Sequence, residues 1–281
     1  MLRLALLGHP VAHSRSPAMM RAALEAMGLD GVYVPFDVAP DRLADAVKGV
    51  AALGFDGANV TLPHKSSVMP LLARVDATAR RVGAVNTLAR VGDGLAGHNT
   101  DVDGLLGALR AHGADPRDGD VVVLGAGGAA RAAAVGVALA GVRSVTVIAR
   151  QEMSALSVAE SALHAARCHA HAVGLGTAGA ARALERATLV VQATSCGMAG
   201  GAPSDALLAG ADLTRCRRAT PAIDLVYTPA VTPWMDAADR AGLRVLAGAG
   251  AEMLARQGAA AVRHWTSREA PLDVMRLALG L

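Results

Sequence analysis

A glycine-rich turn directly after an apolar run constrains the fold of this chain more than any other feature. The apolar residues 121–124 are followed at 125–129 by Gly-Ala-Gly-Gly-Ala. Glycines permit a tight turn and a close backbone approach, and a helix that starts there offers unpaired N–H donors and the positive end of its dipole. The segment therefore predicts a strand, a turn and a helix that bind a pyrophosphate, although glycine-rich turns also serve plain packing of helices on sheets.

The next apolar strand bears on which dinucleotide would bind. Residues 144–149 end at Arg150, about where such a unit contacts the adenosine ribose. An acidic residue there pairs with a free 2′-hydroxyl, whereas an arginine favours a 2′-phosphate and hence NADP over NAD. The alternative is that Arg150 is only a solvated strand end, and the sequence leaves that interpretation open.

Short apolar runs alternate with helical stretches, a pattern typical of an α/β protein with mostly parallel sheets. The 281 residues suffice for two domains. We predict an N-terminal α/β substrate domain at 1–104 and a Rossmann-type dinucleotide-binding domain at 105–246, with a cleft between them. Helices at 247–281 are expected to pack back on the first domain. The predicted strands are 2–7, 32–37, 57–60, 85–89, 95–97, 121–124, 144–149, 189–193 and 222–226, and the predicted helices before residue 250 are 17–27, 41–53 and 101–112.

Charge and cysteine content narrow the functional class. The formal net charge of +3 is scattered, without a basic block interleaved with aromatic residues, so we expect no nucleic-acid partner. Cys168, Cys196 and Cys216 form no CxxC pair, which favours a reducing cytoplasm. The apolar segments are too short for a signal peptide or a membrane span, so we expect no membrane partner. The expected partner is a small-molecule substrate, and the choice between monomer and homodimer stays open.

One cluster has metal-ligand character: His164, Cys168, His169 and His171. No second ligand pair lies near it in sequence. We interpret it as a polar helix end followed by a short strand, and we predict no metal site.

Polar residues gather at predicted strand ends, where open α/β sheets place their ligands. Ser14 and Ser16 lie two apart in the loop after the first strand and could both face a carboxylate, but Ser16 could equally cap the following helix. Each polar residue alone has a turn or capping explanation. Together they suit a small polyhydroxylated acid. The other clusters are Asn59-Val60-Thr61-Leu62-Pro63-His64-Lys65, Gly83-Ala84-Val85-Asn86-Thr87 and Asn99-Thr100-Asp101.

With these motifs the chain resembles the shikimate/quinate dehydrogenase family nearly end to end. The resemblance implies reversible reduction of 3-dehydroshikimate to shikimate with NADPH, a step toward aromatic amino acids, with Lys65 and Asp101 as the catalytic pair. It further implies that the substrate carboxylate contacts Ser14, Ser16 and Tyr227, that ring hydroxyls contact Asn59, Thr61, Asn86 and Gln257, and that the cofactor contacts Gly125, Ala126, Gly127, Gly128, Ala129, Arg150, Thr194, Gly250 and Met253.

The chemistry of the pair is consistent with that role. Reduction of a ketone by hydride leaves a developing alkoxide, which must gain a proton. The Lys65 ammonium can stabilise that charge and donate the proton, and the amine or the lysine–aspartate pair can take it back in the reverse direction. The alternative is a structural ion pair without proton transfer.

Several positions depart from the family pattern. Ala149-Arg150-Gln151 stands where Asn-Arg-Thr is common, and Ser154 stands where a second basic residue often grips the phosphate, with Glu152 close by. We therefore expect a weaker NADP preference and leave NAD use open. Quinate or an amino-substituted analogue remains an alternative substrate, because Met20, Gln192 and Glu252 also depart from the pattern. A metabolite-binding module without catalysis is an alternative of another class, which the presence of both Lys65 and Asp101 disfavours.

Overall fold

The computed structural model describes residues 1–281, which divide into two compact units. Unit 1 comprises Met1–Gly104 together with Leu254–Leu281, and unit 2 comprises Leu105–Met253. Each unit contains one six-stranded sheet, and helices connect most of the strands. The predicted α/β class with mostly parallel sheets is confirmed. No helix combines the length and the apolar character that crossing a membrane requires.

The N-terminal part of the chain supplies all the strands of unit 1. Its sheet has the order β2-β1-β3-β5-β6-β4, in which β1 runs parallel to β2 and β3 while β5 runs antiparallel to β3 and β6. The elements in chain order are β1 (Leu2–Gly8), α1 (Ser16–Ala26), β2 (Gly31–Asp37), α2 (Leu43–Ala52), β3 (Gly57–Val60), β4 (Arg74–Val75), α3 (Ala77–Val82), β5 (Thr87–Val91), β6 (Gly94–His98) and α4 (Asp101–Ala111).

This strand order brings several chain segments to one edge of the sheet. Thr87 at the start of β5 pairs both with Asn59 near the end of β3 and with His98 at the end of β6. Strands β1 and β3 are parallel, so the loops that follow them leave at that same edge. The backbone N–H of His9 donates to the carbonyl oxygen of Leu62 at 2.9 Å, which ties these two loops together.

Some predicted bounds of unit 1 were wrong. The strand predicted at 85–89 begins at Thr87, because the N–H of Val85 turns away to donate to the carbonyl oxygen of Lys65 at 2.7 Å. The helix predicted at 41–53 divides into a 3-10 turn at Pro40–Arg42 and helix α2. Strand β4 was missed because two residues are too short to show a period.

Unit 2 has an all-parallel sheet of the order β12-β11-β10-β7-β8-β9. Both faces of β7 are covered: Val121 and Val123 belong to one hydrophobic cluster, and Val122 and Leu124 belong to another. Burial on both faces explains why this strand is a continuous apolar run. The elements are β7 (Asp120–Leu124), α5 (Gly128–Leu139), β8 (Ser144–Ala149), α6 (Glu152–Ala165), β9 (His169–Gly174), α7 (Ala178–Arg186), β10 (Leu189–Gln192), α8 (Asp205–Gly210), β11 (Pro221–Asp224), α9 (Pro233–Arg240) and β12 (Arg244–Val245).

Two helices end the described chain, α10 (Ala249–Thr266) and α11 (Leu272–Ala278), and α11 packs against α1. Gly258 of α10 makes room for three methionine side chains. An ideal Cβ at Gly258 would lie 2.5 to 3.1 Å from the methyl groups of Met19, Met275 and Met20. Met20, which departs from the family pattern, is therefore a core packing residue at 0% exposure.

Candidate active site

The three asparagines of the chain are all buried in unit 1, at the sheet edge where the strand ends converge. Asn59, Asn86 and Asn99 have exposures of 5, 2 and 5%. Burying an amide without hydrogen bonds is unfavourable, so each amide must find partners within the protein. These partners define a connected polar network.

Asn86 is the centre of that network. Its Nδ2 lies 2.8 Å from Asp101 Oδ1, 3.0 Å from Thr100 Oγ1 and 3.2 Å from Gln257 Oε1. Its Oδ1 accepts the backbone N–H of Thr100 at 2.8 Å and the hydroxyl of Thr87 at 3.0 Å. One amide therefore fixes residues from β5, α4 and α10.

Lys65 and Asp101 form a charged pair beside Asn86. Lys65 Nζ lies 2.7 Å from Asp101 Oδ2, and the two side chains are 17 and 6% exposed. Asp101 is the first residue of α4, where the helix dipole favours a negative charge. Its backbone N–H donates to the side-chain oxygen of Asn99 at 3.1 Å, so Asn99 caps the helix that presents the carboxylate.

Both N–H groups of the Asn59 side chain donate to neighbouring protein groups. Its Nδ2 donates to the carbonyl oxygen of Asn86 at 3.1 Å and to Thr87 Oγ1 at 3.2 Å. Its Oδ1 accepts the hydroxyl of Tyr33 at 2.9 Å. Sequence reasoning missed the contributions of Tyr33, Thr87 and Thr100. The low aromatic content of 2% was a signal that Tyr33 has a specific role.

Ser14 and Thr61 lie in the two loops that leave this sheet edge, and Ser16 is the first residue of α1. The hydroxyl oxygen of Ser14 accepts the backbone N–H of Ser16 at 3.2 Å. The N-cap position of α1 is Arg15, without a side-chain cap, so the alternative that Ser16 caps this helix was wrong. Ser16 is 6% exposed. Thr61 follows β3, and its N–H donates to the carbonyl oxygen of Leu7 at 2.9 Å.

The glycine-rich turn of unit 2 connects β7 to α5. Gly125 has φ +116°, and an ideal Cβ there would lie 3.1 Å from the backbone oxygen of Ala193, so only glycine suits this position. Gly127 is the N-cap of α5 and has no side-chain cap. An ideal Cβ at Gly127 would meet nothing within 4 Å, so the space above the helix N-terminus is open. This opening fits an anion such as a pyrophosphate.

Arg150 directly follows β8 and is exposed, and the N-terminus of α6 begins two residues later at Glu152. The Glu152 carboxylate lies beside the end of β9, since an ideal Cβ on Gly174 would be 3.6 Å from its Oε2. A cation and an anion thus lie near the carboxyl ends of the neighbouring strands β8 and β9.

The strand ends of β10 and β11 are cross-linked by side chains. Gln192 Oε1 accepts the backbone N–H of Thr194 at 2.5 Å, and its Nε2 donates to Asp224 Oδ1 at 3.2 Å. Asp224 also accepts the hydroxyl of Thr232 at 2.6 Å. Burial raises the pKa of Asp224 to about 6, although the hydrogen bonds from Thr232 and from the backbone N–H of Val226 favour its charged form. Gln192, another departure from the family pattern, therefore shapes the loop that carries Thr194.

The remaining predicted residues of unit 2 lie near the end of β11. An ideal Cβ at Gly250 would lie 2.7 Å from the carbonyl oxygen of Asp224, so this glycine permits a close approach of α10 to that strand end. Met253 is 7% exposed and belongs to the core of unit 2, and Tyr227 is partly buried. The structure thus joins Lys65, Asp101, Asn59, Asn86 and Gln257 in one network of unit 1.

Comparisons with known proteins identify the family. A family model described as the shikimate dehydrogenase substrate binding domain matches residues 6–88, and one for the shikimate 5'-dehydrogenase C-terminal domain matches residues 250–279. A shikimate dehydrogenase (NADP(+)) of Geobacter sulfurreducens is 42% identical over 284 residues, which cover 98% of this chain and 95% of the relative. The chain belongs to the shikimate dehydrogenase family.

Solved structures of shikimate dehydrogenase relatives share the whole fold. The Thermus thermophilus shikimate 5-dehydrogenase in complex with NADP(H) and shikimate is 37% identical, covers 100% of this chain and 99% of its own, and has a TM-score of 0.83. A quinate dehydrogenase from Corynebacterium glutamicum in complex with NAD is 31% identical, with 100 and 99% coverage and a TM-score of 0.85. The predicted family is confirmed, and its members differ in substrate and cofactor.

Proposed function

We propose that this chain catalyses the reversible NADPH-dependent reduction of 3-dehydroshikimate to shikimate in the pathway toward aromatic amino acids. The observation that carries the proposal is the 2.7 Å contact between Lys65 Nζ and Asp101 Oδ2, in a buried amide network. The named function of the Geobacter sulfurreducens relative supports it.

Lys65 is the proton donor in this mechanism. NADPH, when bound, supplies the hydride that the carbonyl carbon receives. The carbonyl oxygen then becomes an alkoxide, and Lys65 gives it a proton from the ammonium group. Asp101 holds that ammonium through Oδ2 while Asn86 holds the other carboxylate oxygen, so the pair keeps its orientation. In the reverse direction the neutral amine of Lys65 accepts the proton of the substrate hydroxyl.

The neighbouring polar residues hold the substrate. We assign the substrate carboxylate to Ser14, Ser16 and Tyr227, and ring hydroxyls to Thr61, Asn86 and Gln257. Asn59 can contribute only its side-chain oxygen, because the Nδ2 of this amide already donates to Asn86 and Thr87.

The cofactor-binding residues are those of unit 2. The phosphates would bind at the open N-terminus of α5, where Gly127 leaves room for them. The loop that carries Thr194 would contact the cofactor beside them, and Gly250 and Met253 would lie near the nicotinamide. Arg150 would contact the 2′-phosphate, which makes NADP the preferred cofactor.

Steady-state assays of the purified protein test this function. Shikimate with NADP⁺ should generate the absorbance of reduced nicotinamide, and quinate or NAD⁺ should give a lower kcat/KM. Efficient turnover of quinate without turnover of shikimate would contradict the proposal and favour a quinate dehydrogenase, the activity named for the Corynebacterium glutamicum relative. Thermal stabilisation by shikimate without any turnover would instead favour a non-catalytic binding protein.

Replacement of Arg150 by alanine tests the cofactor assignment. We expect the KM for NADP⁺ to rise by about tenfold to a hundredfold, because a charge-assisted contact with the 2′-phosphate is lost. The KM for NAD⁺ should change by less than about twofold, because NAD lacks that phosphate. Arg167→Ala is the control, since Arg167 is also exposed but follows the far end of α6. Equal effects of Arg150→Ala on both cofactors would remove Arg150 from the phosphate site.

A further inference from the structure

Two histidines of unit 1 stack outside the network described above. The rings of His98, at the end of β6, and His264, near the end of α10, have centroids 4.0 Å apart and are inclined by 28°. His98 Nδ1 lies 2.7 Å from Asp76 Oδ2, and the His98 side chain is 15% exposed. Asp76 in turn caps α3, because its Oδ1 accepts the N–H of Ala79 at 2.7 Å. The stack therefore connects α10 to a fixed part of the sheet.

Each histidine is joined through the backbone to the amide network. The carbonyl oxygen of His98 accepts the N–H of Asn86 at 3.0 Å, and His98 directly precedes Asn99, the cap of α4. His264 lies seven residues after Gln257 in α10, so both side chains project from the same side of this helix. A displacement at the stack would consequently move Asn86 and Gln257 relative to each other.

A neighbouring tryptophan supports the same helix at a different strand. Trp265 Nε1 donates to the carbonyl oxygen of Leu88 at 2.8 Å. This bond holds α10 against β5 at any pH, because the indole does not titrate. The imidazole of His264, by contrast, can gain a proton as the pH falls.

The charged groups around the stack come from four elements. Asp76 precedes α3, Asp103 belongs to α4, Arg263 belongs to α10 and His98 ends β6. Burial and the nearby His98 lower the pKa of His264, although Asp76 and Asp103 oppose that shift. Burial acts against ionisation of Asp76, but hydrogen bonds from His98 and Ala79 outweigh it and lower the pKa of Asp76. The carboxylate therefore stays charged while the imidazole of His264 resists protonation.

We propose that His98 and His264 form a clamp that positions Asn86 and Gln257 for substrate binding, and that protonation of His264 opens it. A proton on His264 places a positive ring face to face with His98 and beside Arg263, whose Nε is engaged by Glu269 Oε1 at 3.0 Å. The end of α10 then turns away from His98 about the Trp265 contact with Leu88, and the hydrogen bond between Gln257 and Asn86 is lost. His98 and His264 are positioning residues and do not contact the substrate. The kinetic part of this inference rests on the proposed function.

The sign of the pH effect follows from the direction of the shift. Since the folded protein holds the pKa of His264 below the unfolded value, the unfolded chain binds more protons as the pH falls through that value. The contribution of His264 to the free energy of unfolding is therefore fully present above the ordinary histidine pKa and decreases below it. The KM for shikimate should rise at lower pH, as the pH falls through the lowered pKa that His264 has in the folded protein.

Two substitutions of His264 distinguish the packing of its ring on His98 from the effect of its protonation. His264→Ala removes both, and we expect the KM for shikimate to rise about fivefold with little change in the KM for NADP⁺, since positioning of one substrate is impaired. His264→Phe keeps a flat ring on His98 and should retain a KM near the wild-type value at about pH 8. Between about pH 8 and about pH 5.5 the wild-type KM should rise, whereas that of His264→Phe should rise less.

A thermal measurement reports on the clamp without any turnover. The melting temperature of the wild type should fall on acidification below the ordinary histidine pKa, and His264→Phe should reduce this fall. His169→Phe, on the exposed start of β9 in unit 2, is the control and should melt with the wild-type pH dependence. Equal pH dependence of the wild type and His264→Phe, in melting and in KM, would overturn the clamp. Absence of shikimate turnover in the wild type would refute only the proposed function, because the melting comparison still decides on the clamp.

Discussion

Replacing Lys65 by alanine is expected to lower kcat by about 10³-fold while the KM for shikimate changes by only a few fold. The ammonium interacts most strongly with the alkoxide that forms during reduction. Its loss therefore destabilises the transition state much more than the bound substrate. Stopped-flow or steady-state measurement of NADPH consumption, at several pH values, gives kcat and KM separately.

The chain offers a matched control for this substitution, because it contains only two lysines. Lys48 lies on α2 and is exposed, so Lys48→Ala should leave kcat within about twofold of the wild type. Melting curves establish that Lys65→Ala is folded, which matters because Asp101 is 6% exposed and loses its charge partner. A folded Lys65→Ala enzyme with a near-normal kcat would make the ion pair purely structural.

Replacing Asp101 by asparagine is expected to lower kcat by about 10²-fold or more. The amide keeps the size of the side chain, and the backbone N–H of residue 101 can still donate to Asn99, but the amide cannot hold the Lys65 ammonium by charge. Since Asn86 Nδ2 lies 2.8 Å from Asp101 Oδ1, an asparagine can still present a carbonyl oxygen to it, and the network should survive. The measurement is kcat against pH, with folding followed by circular dichroism.

Asp103→Asn is the control for Asp101→Asn. Asp103 is also in the first turn of α4 but is exposed. It interacts with the same helix dipole as Asp101 but forms no ion pair with Lys65. Its replacement should change kcat by less than about threefold. The double variant Lys65→Ala/Asp101→Asn should be little slower than Lys65→Ala, because residues that act as a unit are not additive. Fully additive losses would indicate two independent roles.

Local chemistry made part of the fold predictable. The observed bounds of β3 and β8 are the predicted ones, since both are short segments between clear turn signals. The turn at Gly125 was predictable because its φ of +116° requires a residue without a Cβ. Strand β12, with two residues, lacks any detectable period and was missed. The role of Ser16 as a helix cap was a wrong alternative, because α1 begins at Ser16 itself and the N-cap position is Arg15.

The site required information that a linear pattern does not contain. Asn86 and Gln257 lie 171 positions apart in sequence yet 3.2 Å apart in the network. The family resemblance named both residues, but only the fold shows that a single amide group joins them. Tyr33 and Thr87 had no predicted role because each acts by holding Asn59, and such support is visible only in three dimensions. The proposed roles of the predicted site residues remain to be tested by the substitutions above.

The division of the chain has a consequence for biosynthesis. Unit 2 is one continuous stretch, whereas unit 1 needs both Met1–Gly104 and Leu254–Leu281, including the packing of α11 on α1. During translation the sheet of unit 2 can therefore assemble on the ribosome while α1 still exposes the apolar surface that α11 later covers. Chaperones that hold nascent polypeptides would encounter this surface until α11 has been synthesised.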